Sequence, residues 1–532
     1  MQTAKTRGLL AQGLKENPCD QEAHLSVKKS LLKNNPYSSP EGDKSPIKNL
    51  PNELLTSIFQ FGVNSQYEEL EETNRNDELG WGDVGDDDDQ GEGADEEQCD
   101  TASGSTGTET RKNDDDGGIL DFQVVVSHVC RRWHSLAIFT PNLWTILSFT
   151  ENLKIERTKE YILRSKSLPL TIDFFTTGFG NQQNSAQLSR FLDLIEPEVS
   201  RWRAFTYRRF PNTELQLLMS RLHEMPEARL LESFRILYSS GHEPHLFSTF
   251  SGSNCLPFHG HAPNLKEAVL WGARIDWDNA LPCFLRGLRK LEITSLVDAL
   301  RPSFATFVQM IKNSPELHTL ALSFAGPNFP YHMNFHSHEN LSSDFLSTIP
   351  SLRKLLLQSH YPPYVAAVVR CLDLPNLHTL GLNFLADCSG LIQTLSIPSH
   401  GRTQSLLQSI TCLTIFSLPC TASSVELLLA QLVTLKTLQI DSLSLPGNTP
   451  IFEQLTMPAA TGSGSSGSSD GIPCPKLEEL VVSRWTGEKV TAVINARRNA
   501  GVPLKKIVIK KGVISVQDLR WIRKNVEYMT LR

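Results

Sequence analysis

The residues best equipped for chemistry in this chain are cysteines, histidines and clustered carboxylates. Cys130 lies in Val129-Cys130-Arg131-Arg132-Trp133, with His128 and His134 on either side. A cysteine nucleophile needs a base oriented toward it. On a helix, His128 and His134 would point to different faces, so Cys130 reads as a small buried apolar residue. His242-Glu243-Pro244-His245 and the trio His332, His336 and His338 are rich in imidazole. Zinc takes four ligands on a fixed frame, and no Cys/His pairing at ligand spacing accompanies them. Asp86-Asp87-Asp88-Asp89 and Asp114-Asp115-Asp116 lack the ordered Asp-x-Asp-x-Asp-Gly pattern of a calcium loop. Gly104-Ser105-Thr106-Gly107 lacks the lysine of a phosphate-binding loop and sits among carboxylates that repel phosphate. No Gly-x-Ser-x-Gly occurs. No catalytic, cofactor-binding or metal residue is therefore assigned, and a non-catalytic protein is expected. The basic pairs Lys28-Lys29, Arg208-Arg209, Lys505-Lys506 and Lys510-Lys511 are dispersed, without interleaved stacking aromatics, so nucleic acid is not expected as a partner.

What the chain does offer is bulky apolar side chains at regular spacing, the chemistry of docking. Pro51 suits a first helical turn, where its missing N–H costs nothing. Leu54, Leu55, Ile58 and Phe59 follow on one apolar stripe. A helix of about two turns cannot stand alone and must pack on something. A second set begins at Ile119. Val125, Val129, Arg132 and Trp133 can share a helical face, Thr140-Pro141 ends that helix, and Leu143-Trp144 adds a large apolar pair.

The two sets are separated by residues 64–118, which hold 20 Asp/Glu and 3 Lys/Arg. Since the whole chain carries −7, the remainder carries +10. Few apolar residues could offset the cost of ordering this tract, and it is expected to be a disordered acidic insertion. Lengthening a loop from about 10 to about 55 residues costs only roughly 1.5 kcal/mol in closure entropy, so both sets can belong to one domain.

Leu50-Pro51-x-Glu53-Leu54-Leu55-x-x-Ile58-Phe59, then Val126-x-x-Val129-Cys130-Arg131-Arg132-Trp133-x-x-Leu136-Ala137, then Thr140-Pro141-x-Leu143-Trp144, resembles an F-box. The resemblance covers 46–63 and 119–150, and the insertion replaces what is a short connection in the family. It implies docking on a Skp-type adaptor and, through it, a cullin. The adaptor-binding residues carried over are Leu50, Pro51, Leu54, Leu55, Ile58, Phe59, Val129, Cys130, Trp133, Leu143 and Trp144. Some of these must form the module's own core, and the sequence does not separate the two sets. A module this small cannot bury such side chains internally. An interface of about 1,200–2,000 Å² centred on aromatic anchors is expected.

Residues 160–532 repeat a short pattern, Leu-x-x-Leu-x-Leu, whose alternating tail reads as a strand. Examples run from Leu288-Arg-Lys-Leu-Glu-Ile to Leu504-Lys-Lys-Ile-Val-Ile, with looser copies at Trp202-Phe205-Tyr207 and Leu231-Phe234-Ile236. Amphipathic helices precede many of them. Leu188, Phe191, Leu192 and Ile195 recur at i, i+3, i+4, i+7, as do Leu215 to Leu222, Phe304 to Ile311, Val365 to Leu372, and Val425 to Leu432. The expected fold is α/β: a small helical box followed by an irregular leucine-rich-repeat-like solenoid, a horseshoe with a parallel inner sheet. The units are longer and less regular than typical repeats. Tyr161–Ser165 and Leu168–Phe174 read as helix end and strand, fusing box to array. Val526–Leu531 reads as one more strand that caps it. Residues 1–45 are expected to be disordered, and 461–470 a flexible Gly/Ser loop.

Together these imply a substrate-recognition subunit of a cullin–RING ubiquitin ligase. The repeats would bind an unknown protein target and partner subunits would perform the chemistry. A repeat scaffold without ligase output is the alternative. Ten cysteines without a Cys-x-x-Cys, and no apolar leader or 18-residue apolar run, fit a cytoplasmic or nuclear protein without membrane contact.

Overall fold

The computed structural model describes residues 46–78, 121–149, 155–175, 182–208, 212–237, 255–329, 347–398, 403–442, 445, 448–457, 473–510, 512 and 514–531. Segment 1–45, residues 79–118 of the acidic tract, the loop 461–470, and the histidine groups at 242–245 and 332–338 lie outside the described residues.

The chain opens with a short 3-10 turn, Pro46–Asn49, and α1, Asn52–Glu78. After the insertion come α2 (Phe122–Ser127), α3 (Arg131–Ile138) and a 3-10 turn, Pro141–Trp144. Strand β1 (Ile146–Phe149), helix α4 (Ile155–Ser165) and strand β2 (Leu170–Phe175) follow. From there helix and strand alternate. The strands are β3 (Trp202–Arg208), β4 (Ser233–Leu237), β5 (Glu267–Trp271), β6 (Lys290–Thr294), β7 (Thr319–Ser323), β8 (Ser347–Thr348) and β9 (Lys354–Ser359). They continue as β10 (Leu372–Asp373), β11 (Thr379–Phe384), β12 (Cys412–Ser417), β13 (Thr437–Ile440), β14 (Glu479–Ser483), β15 (Lys506–Lys510) and β16 (Tyr528–Leu531). The helices between them are α5 (Gln182–Ile195), α6 (Asn212–Glu224), α7 (Trp277–Ala280), α8 (Phe304–Lys312) and α9 (Pro362–Arg370). Next come α10 (Ser389–Ser396), α11 (Ala422–Gln431), α12 (Asn448–Thr456), α13 (Gly487–Asn499) and α14 (Val516–Asn525).

Fourteen strands form one parallel sheet in sequence order, from β1 to β16, with β8 and β10 paired separately. The fold is thus α/β, as expected, and each crossover leads to the neighbouring position. Register explains why. Leu291, Leu320, Leu355, Leu380, Leu413 and Leu438 align side by side across β6 to β13, all almost fully buried. A second line runs two residues on, from Ile293 to Ile440, and is buried in the same way. Side chains alternate along a strand, so both leucines of each Leu-x-Leu point to the same, helix-covered face. Gly381 serves the other face. A Cβ there would stand 2.4 Å from Leu356 Cδ2, so Leu356 lies across the glycine.

The looser copies near the front of the array have aromatic cores. Trp202 and Phe205 stack at 5.1 Å, Phe174 and Tyr207 at 4.9 Å. Larger rings fill the space that leucines fill later, and the Leu-x-x-Leu-x-Leu signature fades there. Helix starts are fixed locally. Ser303, Thr421 and Ser515 each accept an N–H three residues on, capping α8, α11 and α14. Leu372 departs from expectation: α9 ends at Arg370, and Leu372 pairs with Ser347 in the two-stranded sheet. No helix among the described residues is long and apolar enough to cross a membrane.

Two outcomes are expected. Leu380→Ala should lower the unfolding free energy by about 2–5 kcal/mol in urea titration, because its neighbours in the line cannot collapse onto the gap. Glu214 is buried beneath Tyr207, whose hydroxyl lies 3.5 Å from its carboxylate. Burial pushes its carboxyl up to about 7, against a smaller opposing effect of the Tyr207 hydrogen bond. The folded chain therefore holds a proton that the unfolded chain releases nearer pH 4.5. Stability should fall as pH rises from there to about 7 and level off above, and Glu214→Gln should flatten that slope.

A candidate docking surface on the N-terminal module

Helix α1 carries two apolar stripes about 100° apart. Leu55, Phe59 and Val63 form one and are buried; Leu54, Ile58 and Phe61 form the other and are exposed at 52%, 46% and 74%. The buried stripe packs on the second set of residues. Phe59 meets the Trp133 ring at 4.9 Å. Gly62, on the same side, leaves room for Phe122: a Cβ there would stand 2.3 Å from that ring. The Phe122 N–H donates to Gln66 Oε1 at 2.7 Å, which fixes where the chain returns from the insertion. Arg132 ties the entrance of α1 to α3, donating to Asn52 Oδ1 and to the Leu50 carbonyl. The two pieces are therefore one packed body despite the tract between them.

The expected adaptor-binding residues divide. Pro51, Leu54, Ile58, Val129 and Cys130 are exposed, while Leu50 and Trp133 are half-buried against the core. Leu55, Phe59, Leu143 and Trp144 are fully buried, which removes them from any contact surface. Their bulk goes into the module's own core. The Trp144 indole N–H donates to the Ala137 carbonyl at 2.8 Å, its ring meets Tyr161 at 4.9 Å, and the Arg164 guanidinium lies 4.4 Å above it.

Three further expectations are corrected. Cys130 is not buried: it is the exposed N-cap of α3, in extended conformation, with its sulfur accepting the Trp133 N–H at 3.5 Å. Val125 and Trp133 do not share one helix, because the chain breaks at Val129–Cys130 between α2 and α3. His134 Nδ1 lies 3.0 Å from the Ser127 carbonyl across the break. Helix α1 also runs on to Glu78, beyond the expected boundary at residue 64. A helix nucleated by packing propagates cheaply, and residues 67–78 are mostly good helix formers.

Sequence reasoning missed Phe61 and left Val125 out of the docking set; both are exposed, Val125 at 45%. Phe61 stands seven residues after Leu54, a spacing that would have found it. Leu54, Ile58 and Val129 are likewise left uncovered by the described residues of the module.

The module is joined firmly to the sheet. Tyr161 on α4 donates to Asp121 Oδ2 at 2.7 Å, and Arg157 pairs with the same carboxylate at 3.4 Å. Burial, with Asp121 close by, pushes the Tyr161 phenol well above its usual range. On the open face of the sheet, charges are mutually paired. Arg208 and Asp173 lie 3.1 Å apart and buried, Lys290 and Glu267 lie 2.7 Å apart, and Trp271 Nε1 donates to Glu292 at 2.9 Å. Burial pushes Glu267 up, but Lys290, Arg235 and the Ser233 hydroxyl outweigh it and hold the carboxyl below its ordinary value. No cluster of metal-ligating side chains occurs among the described residues.

No family model matches the chain, and no curated protein does. Among solved structures it is similar to a protein from Bacteroides fragilis at 11% identity, over 68% of this chain and 74% of that one. The TM-score of 0.27 is too low for that likeness to carry an argument.

Gly62→Ala separates one packed body from two independent pieces. Helix propensity alone would favour alanine by about 1 kcal/mol. The clash with Phe122 should instead lower thermal stability, at about 1–3 kcal/mol of overpacking. A stabilised variant would show that the two pieces do not pack as described.

Proposed function

We propose that this chain is the substrate-receptor subunit of a cullin–RING ubiquitin ligase, with residues 46–78 and 121–149 acting as an F-box and the repeats, leucine-rich in type, holding a protein target on the open sheet face. The observation that carries this reading is the exposed apolar stripe Leu54, Ile58 and Phe61, with Val125 and Val129 exposed on the same packed module. An exposed apolar stripe along a helix of a folded module marks an interaction site. Its side chains belong to the segments that resemble the family's adaptor-docking motif. In this reading the contact residues are Leu50, Pro51, Leu54, Ile58, Phe61, Val125 and Val129, with Cys130 at the margin.

The ligase role asks for geometry, not for catalytic groups on this chain. A receptor must hold its target at a fixed distance and angle from the catalytic partner. The joint of Trp144, Tyr161, Arg164 and Asp121 supports that role, since it ties the docking module to α4 by side-chain contacts. The charges on the open face are largely spent on one another, so target selection there rests on shape and short polar contacts.

Co-purification with a Skp-type adaptor tests the reading. Leu54→Asp with Ile58→Asp should leave the fold intact and abolish adaptor recovery, since anchors of this kind contribute on the order of 2 kcal/mol each. Leu50→Ala with Pro51→Ala should weaken it less. Adaptor bound equally by both variants would overturn the assignment. Recovery of a cullin along with the adaptor distinguishes a ligase subunit from a scaffold.

A further inference from the structure

Two histidines that lie far apart in the sequence meet between β4 and β5. His223 stands in the last turn of α6. His259 lies in a tight turn, Pro257–Gly260, that packs against that helix and leads toward β5. Both residues are exposed, and their ring centres lie 5.4 Å apart with the planes tilted by 59°. The turn owes its shape to Phe258. That ring is fully buried, edge to face with Trp202 and Phe234 at 5.9 Å each. Phe258 and His259 both take left-handed backbone angles, φ 54° and 50°, and Gly260 follows at φ 79°. Residues with side chains rarely adopt that region, and two in succession store strain. Backbone bonds hold the turn there. The His261 N–H donates to the Phe258 carbonyl at 2.9 Å, and the Ala228 N–H donates to the His261 carbonyl at 3.0 Å. With Phe258 anchored inward, His259 is carried outward against the ring of His223.

His223 is oriented from behind. Its Nδ1 lies 3.0 Å from the Leu256 carbonyl and 3.3 Å from the Leu256 N–H. The Leu256 backbone thus engages Nδ1, and Nε2 is the nitrogen left for a ligand. Histidines that bind metals are set in this way: the second ring nitrogen donates to a backbone carbonyl, which fixes tautomer and ring direction. A cation on Nε2 selects the tautomer in which Nδ1 donates to Leu256. The place suits a cation as well, because the carbonyls at the end of a helix carry partial negative charge.

The spacing selects the ion. Two imidazoles on a tetrahedral zinc ion, each with its nitrogen about 2.0–2.1 Å from the metal, have ring centres about 5.2 Å apart. On a square-planar copper or nickel ion the separation is about 4.5 Å for neighbouring ligands and about 6.4 Å for opposite ones. The 5.4 Å found here matches the tetrahedral case. We infer that His223 and His259 form an open zinc site, with two imidazoles from the chain and two positions for water. Two ligands fall short of the closed four-ligand sites that hold a fold together. The ion instead clasps the strained turn Pro257–Gly260 to the end of α6 and keeps two exchangeable positions.

The site does not rest on the ligase reading. The test uses the full chain, stripped of metal with a chelator, and zinc chloride. Carbethoxylation by diethyl pyrocarbonate, read by peptide mass spectrometry, reports each histidine separately. Zinc should protect His223 and His259 at one common concentration, and leave His318 and His378, exposed in other units, unprotected. Two variants remove one ring each and spare the fold. Asparagine tolerates left-handed angles, so His259→Asn keeps the turn. Glutamine is a good helix former, so His223→Gln keeps the end of α6. Each variant should raise the zinc concentration that protects the remaining histidine at least about tenfold, since changes to the outer shell alone can cost that much. Protection of neither ring overturns the inference, as does protection of one ring that survives replacement of the other. Equal protection of His318 and His378 would show adventitious surface binding only and overturn it too. Protection by copper(II) where zinc gives none would overturn the choice of ion. Leu54→Asp with Ile58→Asp should leave protection unchanged, which separates this outcome from that of adaptor binding.

Discussion

A parallel strand cannot be joined to its neighbour by a tight turn, and a single strand–helix unit cannot bury both of its apolar faces. Everything after β1 follows from those two facts. The leucine line through β6 to β13 is buried only because each strand has another on both sides, in the same register. From α9 to α14 each helix packs on the next one along the row. Stability is accordingly a sum over neighbours, and the ends of the row are where the sum is incomplete.

The first end is completed by the N-terminal module. Trp144 belongs to the module by sequence and to the joint by packing, since Tyr161 and Arg164 of α4 close over it. Asp121, the first described residue after the acidic tract, is held by both Tyr161 and Arg157. The described chain therefore returns from the insertion at a pinned point, Asp121.

Within the module, one short helix satisfies two demands. Leu55 and Phe59 supply a core; Leu54 and Ile58, one position earlier in each case, supply a surface. In the sequence these four residues read as one apolar stripe. Which pair faces inward depends on where α2 and α3 sit, and Phe122 against Gly62 together with Trp133 against Phe59 sets that. Cys130 shows the same dependence. Its neighbours make it look like a buried thiol, yet it caps α3 in the open because the chain breaks there.

Period and composition are local properties, and they were legible. The α/β class, the strands of the repeats, five helical faces and the apolar character of the split module could all be read along the chain. Phe61 and Val125 were within reach of the same spacing. Partition is not local. Two apolar residues one position apart differ in role only when a third element covers one of them, and that element can arrive from across an acidic tract. The sequence by itself determined what each segment becomes; the tertiary structure decided which of its faces is left to a partner, because burial is a property of neighbours and not of residues.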